Sequence, residues 1–94
     1  NYAKLGYDIT AFLGIFLEKS ALYDKVLARL KAIPEITNIH YTTGNYSMFC
    51  KIHCRDTNHL KEVLHDKIQQ VDGIERTETM ISLEESLDRN LDLM

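Results

Sequence analysis

The chain has 94 residues, 45% hydrophobic and 27% charged, with a formal net charge of −3. That length allows one domain with a modest core, so burial against further subunits is expected to add stability. No apolar run approaches the roughly 18 residues needed to span a bilayer, and no basic stripe supplies the phosphate neutralisation that drives nucleic-acid affinity; a membrane protein and direct nucleic-acid binding by these residues are both disfavoured.

Asp8 to Glu18 is almost continuously apolar and rich in branched and aromatic residues, which predicts a strand buried on both faces. Ser20 is placed to cap a helix whose Leu22, Val26, Leu30 and Ile33 form one stripe, until Pro34 stops it. A second strand, about Ile36 to Thr43, alternates Ile39, Tyr41 and Thr43 against Asn38, His40 and Thr42. A third, about Tyr46 to Cys54, sets Tyr46, Met48, Cys50, Ile52 and Cys54 on one face and Ser47, Phe49, Lys51 and His53 on the other. Asp56 or Thr57 caps a second helix with Leu60, Val63, Leu64 and Ile68 inward. Val71 to Ile74 turns the chain into a last strand, about Glu75 to Leu83. The polar end, Glu84 to Met94, carries Leu87 and Leu91 and is either a short docked helix or a frayed tail.

A self-similarity at an offset of 38 organises these elements: Leu22, Val26, Leu30, Ile33 and Ile36 return as Leu60, Leu64, Ile68, Val71 and Ile74. Two such βαβ halves in one sheet give an α+β, ferredoxin-like βαββαβ fold, four antiparallel strands with both helices on one face. The doubly apolar first strand then requires a cover for the bare face. The simplest cover is the same sheet of a second subunit, an isologous dimer.

The polar constellations are mostly silent. His40, His53, His59 and His65 show no metal-ligand spacing, so neither metal nor cofactor is expected. Cys50 and Cys54 lie about 13 Å apart along one strand, too far for a disulfide, which needs Cα atoms about 4.4–6.8 Å apart. Two thiols and no secretory-type leader suit a reducing cytoplasm. Both cysteines share a face opposite His53, which argues against a nucleophile built from these neighbours. The third strand lacks the basic-Gly-aromatic pattern with which some ferredoxin-like folds hold RNA.

Two segments remain. In Tyr41-Thr42-Thr43-Gly44-Asn45-Tyr46-Ser47, Gly44-Asn45 fits a two-residue type II′ hairpin turn. The same segment fits a small-molecule site, because glycine admits close backbone approach and Thr43, Asn45, Tyr46 and Ser47 offer directional hydrogen bonds. In the last strand Thr77 and Thr79 project from one face and Glu78 from the other. Backbone amides, hydroxyls and a selective wall are what an α-amino acid requires, so loop and threonines together could bind one, with another subunit completing the site.

Leu5-Gly6-Tyr7-Asp8 entering the first strand, Tyr41 to Ser47 around the turn and Thr77-Glu78-Thr79-Met80-Ile81 in the last strand, in this order, resemble the effector domain of the Lrp/AsnC family of transcriptional regulators, and most its AsnC branch. The resemblance spans essentially the whole chain. It implies a non-catalytic domain that dimerises through its sheets and assembles further, often to octamers, with an amino-acid effector bound between dimers. Tyr41, Thr43, Gly44, Asn45, Tyr46, Ser47, Thr77 and Thr79 are the implied effector-binding residues. Many relatives place an acid where this chain has Asn45 or Ser47, which favours a small polar effector such as asparagine over a leucine-type one. DNA would be reached only through an N-terminal helix-turn-helix absent from this chain. Residues 1–7 then read as the end of its linker, 8–84 as the effector and oligomerisation domain, and 85–94 as a tail. Two alternatives stay open: a small dimeric α+β barrel enzyme of the monooxygenase or isomerase sort, and a purely structural oligomerisation module.

Overall fold

A computed structural model describes residues 6–91, so Asn1–Leu5, which include the expected linker end, and the last three residues lie outside the description. The elements are β1 (Ile9–Leu17), a 3-10 turn (Ser20–Leu22), α1 (Tyr23–Lys31), β2 (Ile36–Tyr41), β3 (Met48–Cys54), α2 (Thr57–Glu62) continued by a π-helical segment (Val63–Ile68), and β4 (Ile74–Ile81). The strands form one antiparallel sheet in the order β2-β3-β1-β4, the ferredoxin-like arrangement expected of two βαβ halves.

Strand alternation separates the two faces of the sheet. Ala11, Leu13, Ile15 and Leu17 of β1 and Met48, Cys50, Ile52 and Cys54 of β3 are buried with Val26 and Leu30 of α1 and with Leu60, Val63 and Ile68 of the second helix. The other face presents the half-buried Phe12, Phe16 and Phe49 with no covering layer among the described residues, and Phe12 stacks on Phe49 at 5.7 Å between ring centroids. Fully burying a side chain of this size is worth about 1.5–3 kcal/mol, so covering what these half-buried rings still expose would add stability.

The 38-residue echo extends further than its apolar stripes. Each edge strand carries a bulge at the equivalent point, Thr37 in β2 and Glu75 in β4, so that Ile36 and Ile39, like Ile74 and Thr77, face the same way although three residues apart. The halves differ in their second turns. In the second helix the i→i+5 bond from Gln69 N–H to Leu64 O marks a π-helical wind, and Val63 and Ile68, five apart, are buried while Leu64 is only partly so.

Two local expectations are corrected, and one open alternative is decided. Ser20 does not cap the first helix; it opens the 3-10 turn, and no side chain caps α1. The second cap is Asp56, whose Oδ1 accepts from His59 N–H at 2.8 Å. The β2–β3 connection is not a two-residue hairpin: the strands stop at Tyr41 and Met48, and Thr42 N–H donates to Ser47 O at 3.2 Å to close a wider loop. After Ser82, which still donates to Thr10 O, residues 83–91 form neither helix nor strand.

Candidate functional site

The loop between β2 and β3 is shaped by two residues. Gly44 adopts φ 101°, a left-handed conformation that only glycine enters without strain. Thr42 Oγ1 donates to Tyr46 O at 2.7 Å, tying the base of the loop across its mouth. Thr43, Gly44 and Asn45 form the exposed tip, and Ser47, half-buried, donates its N–H to Ile15 O at 2.9 Å.

Tyr46 departs from the sequence expectation. With the loop wider than two residues, it escapes strand alternation and lies on the bare face rather than beside Met48 and Cys50. The register builds a row His40, Phe49, Gly14, Glu78 across that face, with a gap at Gly14. Tyr46 fills it: any Cβ at residue 14 would collide with its ring. Phe16 meets the ring edge-on at 5.1 Å, and the hydroxyl donates to Glu78 Oε2 at 2.8 Å. That bond to the carboxylate raises the Tyr46 phenol above its ordinary range. Glu78 Oε1 in turn accepts from Arg76 at 3.4 Å, and the Arg76 guanidinium lies 3.8 Å over the Phe16 ring. Tyr46, Glu78, Arg76 and Phe16 thus form a closed circuit of contacts.

Of the other expected residues, Tyr41, Thr77 and Thr79 lie on the helix-side face. Tyr41 is 65% exposed and stacks on Tyr23 of α1 at 4.2 Å. The row Tyr41, Met48, Ile15, Thr77 crosses the sheet from edge to edge. Three strand spacings, about 14 Å, therefore separate Tyr41 from Thr77, with buried Met48 and Ile15 between. Thr79 is exposed and Thr77 half-buried, beside a cleft of about 400 Å³ lined by Ile68, Gln69, Val71, Ile74, Arg76 and Thr77. Within one protomer the loop tip and the two threonines do not converge on one amino-acid-sized volume.

One polar cluster escaped sequence reasoning. Lys67 Nζ donates to both carboxylate oxygens of Glu35, at 2.8 and 3.0 Å, and His59 Nε2 meets Oε2 at 2.9 Å. His59 Nδ1 accepts from Arg55 N–H at 3.0 Å, so the ring hydrogen sits on Nε2 and is donated to Glu35. Burial alone would favour the protonated acid, but the hydrogen bonds from Lys67 and His59 outweigh it and hold the Glu35 carboxyl down at about 2. Lys67 lies in the π-helical wind, which has no signature in the sequence.

Cys50 and Cys54 are free and buried, and burial pushes both thiols up to about 11. Among the described residues no group of three or more His, Cys, Asp or Glu could hold a metal ion, and no helix is long and apolar enough to cross a membrane. The buried polar residues there are His53, which meets Thr10 Oγ1 at 3.3 Å on the bare face, and His59 in the cluster above.

The profile of the Lrp/AsnC ligand binding domain matches residues 10–91. The chain is 43% identical over 88 residues to the regulatory protein AsnC of Escherichia coli, a match covering 94% of this chain and 58% of that protein. It is 39% identical over 83 residues to the HTH-type transcriptional regulator FL11 of Pyrococcus furiosus, covering 88% of this chain and 54% of that one. The solved structure of Escherichia coli AsnC superposes with a TM-score of 0.94 at 42% identity, over 97% of this chain and 61% of that chain. A Neisseria meningitidis transcriptional regulator solved with L-Met superposes at a TM-score of 0.87 and 15% identity, over 94% of this chain and 58% of that chain, a likeness of fold alone. The relatives are named as transcriptional regulators, and this chain spans little more than half the length of each.

Proposed function

Because the chain belongs to the Lrp/AsnC family, as its ligand-binding domain, we propose that it senses a small amino acid at a cleft between subunits and converts occupancy into a change of assembly. Tyr41, Thr43, Gly44, Asn45, Tyr46 and Ser47 form one half of that cleft and Thr77 and Thr79 the other. The observation that carries this reading is the separation of the halves. Tyr41 and Thr77 occupy opposite edges of the helix-side face, with Met48 and Ile15 packed between, and Tyr46 reaches β4 only on the other face, so one ligand can touch both halves only if they come from different copies. The bare face with Phe12, Phe16 and Phe49 is the surface through which two copies pair, burying the aromatic layer that the monomer leaves open.

The regulator as a whole is proposed to reach DNA through a helix-turn-helix unit outside this chain, as the naming of the Pyrococcus relative suggests. Residues 8–84 carry sensing and assembly, and 85–94 follow as a tail. A cytoplasmic location accords with the two buried, reduced thiols. A ligand shifts such an equilibrium only by its difference in affinity for the two assemblies, so effector and oligomer must be measured together. Asparagine suits the loop, whose polar groups are neutral hydroxyls and an amide. Titration calorimetry over the twenty amino acids is expected to show saturable binding, strongest for a small polar one, and weakened by Gly44→Val and Thr79→Val. Absence of heat with every amino acid, for protein whose oligomer is intact, contradicts the assignment.

A further inference from the structure

We infer that the Tyr46–Glu78 hydrogen bond over Gly14 is a positioning link that makes the β2–β3 loop and strand β4 move as one unit, so that the half-site one copy gives to one cleft is held in fixed relation to the half-site it gives to another. The inference rests on the reading of those halves as a ligand site, and adds to it a residue pair that touches the ligand only in part. Tyr46 belongs to the loop, but its ring is seated in the gap that Gly14 leaves two strands away, and its hydroxyl ends on β4. Glu78 stands between Thr77 and Thr79 in the sequence and faces away from them, so a pull on its carboxylate acts on the backbone that carries both hydroxyls. The carboxylate is braced from its other oxygen by Arg76, itself braced on Phe16, which meets the Tyr46 ring. A loop held only at its base by Thr42 would be free to hinge. This circuit gives it a second anchor on the opposite side of the sheet.

Glu78 is thus a positioning residue, and three variants separate positioning from packing. Tyr46→Phe keeps the ring on Gly14 and removes the hydroxyl; Glu78→Ala removes the acceptor; Glu78→Gln keeps one. Amide exchange without ligand is read first. In Tyr46→Phe and Glu78→Ala, exchange is expected to rise together, by about tenfold, from Thr42 to Met48 and from Thr77 to Thr79, with Glu78→Gln near wild type. Calorimetry with asparagine follows. Tyr46→Phe and Glu78→Ala are each expected to weaken binding by about tenfold, Glu78→Gln to leave it near wild type, and the double variant Tyr46→Phe/Glu78→Ala to weaken it by no more than either alone. A rise confined to the loop, with β4 unchanged, overturns the link whatever the ligand result. Multiplying losses in the double variant overturn it too. If wild-type protein binds no asparagine but the two segments still loosen together, the link stands and the asparagine reading fails.

Discussion

Tyr46, in the β2–β3 loop, and Glu78, in β4, meet at 2.8 Å across a glycine of β1. Glycine inside a strand weakens it unless something must pass close by, and here a tyrosine ring does. Gly14→Ala would ordinarily be worth roughly 0.5–1 kcal/mol in a strand. The added methyl collides with the ring, and overpacking costs about 1–3 kcal/mol, so the net effect is destabilising. Urea unfolding checks it: a lower midpoint is expected for Gly14→Ala, and a smaller loss when Tyr46→Ala is also present.

The same bond predicts a spectroscopic signature. The Glu78 carboxylate opposes loss of the Tyr46 proton, with Arg76 acting weakly the other way, so one of the five tyrosines ionises above the ordinary range. Absorbance titration near 295 nm is expected to show a late phase that Tyr46→Phe removes and Glu78→Gln moves to lower pH.

Glu35 gives a pH dependence with a definite sign. Its carboxyl is held at about 2 in the fold against an ordinary 4.5, so the unfolded chain binds the proton more readily. The stability this provides is complete above about pH 4.5 and is lost as pH falls through about 2. Lys67 is 41% exposed, and screening reduces the effect to on the order of 1–3 kcal/mol. Denaturation between pH 5 and 2 is expected to show a steeper loss for wild type than for Glu35→Gln. Equal slopes would mean that the cluster contributes nothing.

Cys50 and Cys54 are expected to resist thiol reagents at neutral pH, since both are buried and their thiols lie near 11. Labelling with a disulfide reagent should follow the unfolding rate, and rise sharply in denaturant. Rapid labelling of native protein would show that β3 is less well covered than its burial implies.

The sequence carried the sheet, the helices and their shared face because the apolar spacing of Leu22 to Ile36 and its return at Leu60 to Ile74 are local signals. It also carried the opposition of the cysteines to His53, which follows from strand alternation. Tyr46 was assigned to the wrong face because alternation was extended through residues that lie in a loop, where period two no longer applies. The closure at Thr42 and Ser47 depends on Ile15 accepting from Ser47, a contact between distant segments. The meeting of Glu35, His59 and Lys67 was not legible either, since it joins the turn before β2 to two points of the second helix far from it in the chain. In the candidate site, the peripheral placement of the loop and of Thr77 and Thr79 was legible from the strand order, whereas the seat of the Tyr46 ring over Gly14 was not.

The central claim is that two copies complete a ligand site that one copy holds only in halves. Light-scattering mass of the purified chain, with and without saturating asparagine, tests it most directly. An even-numbered oligomer is expected, and its distribution should shift on adding asparagine and not on adding an equal concentration of glycine. A monomer whose mass no amino acid alters would contradict the account.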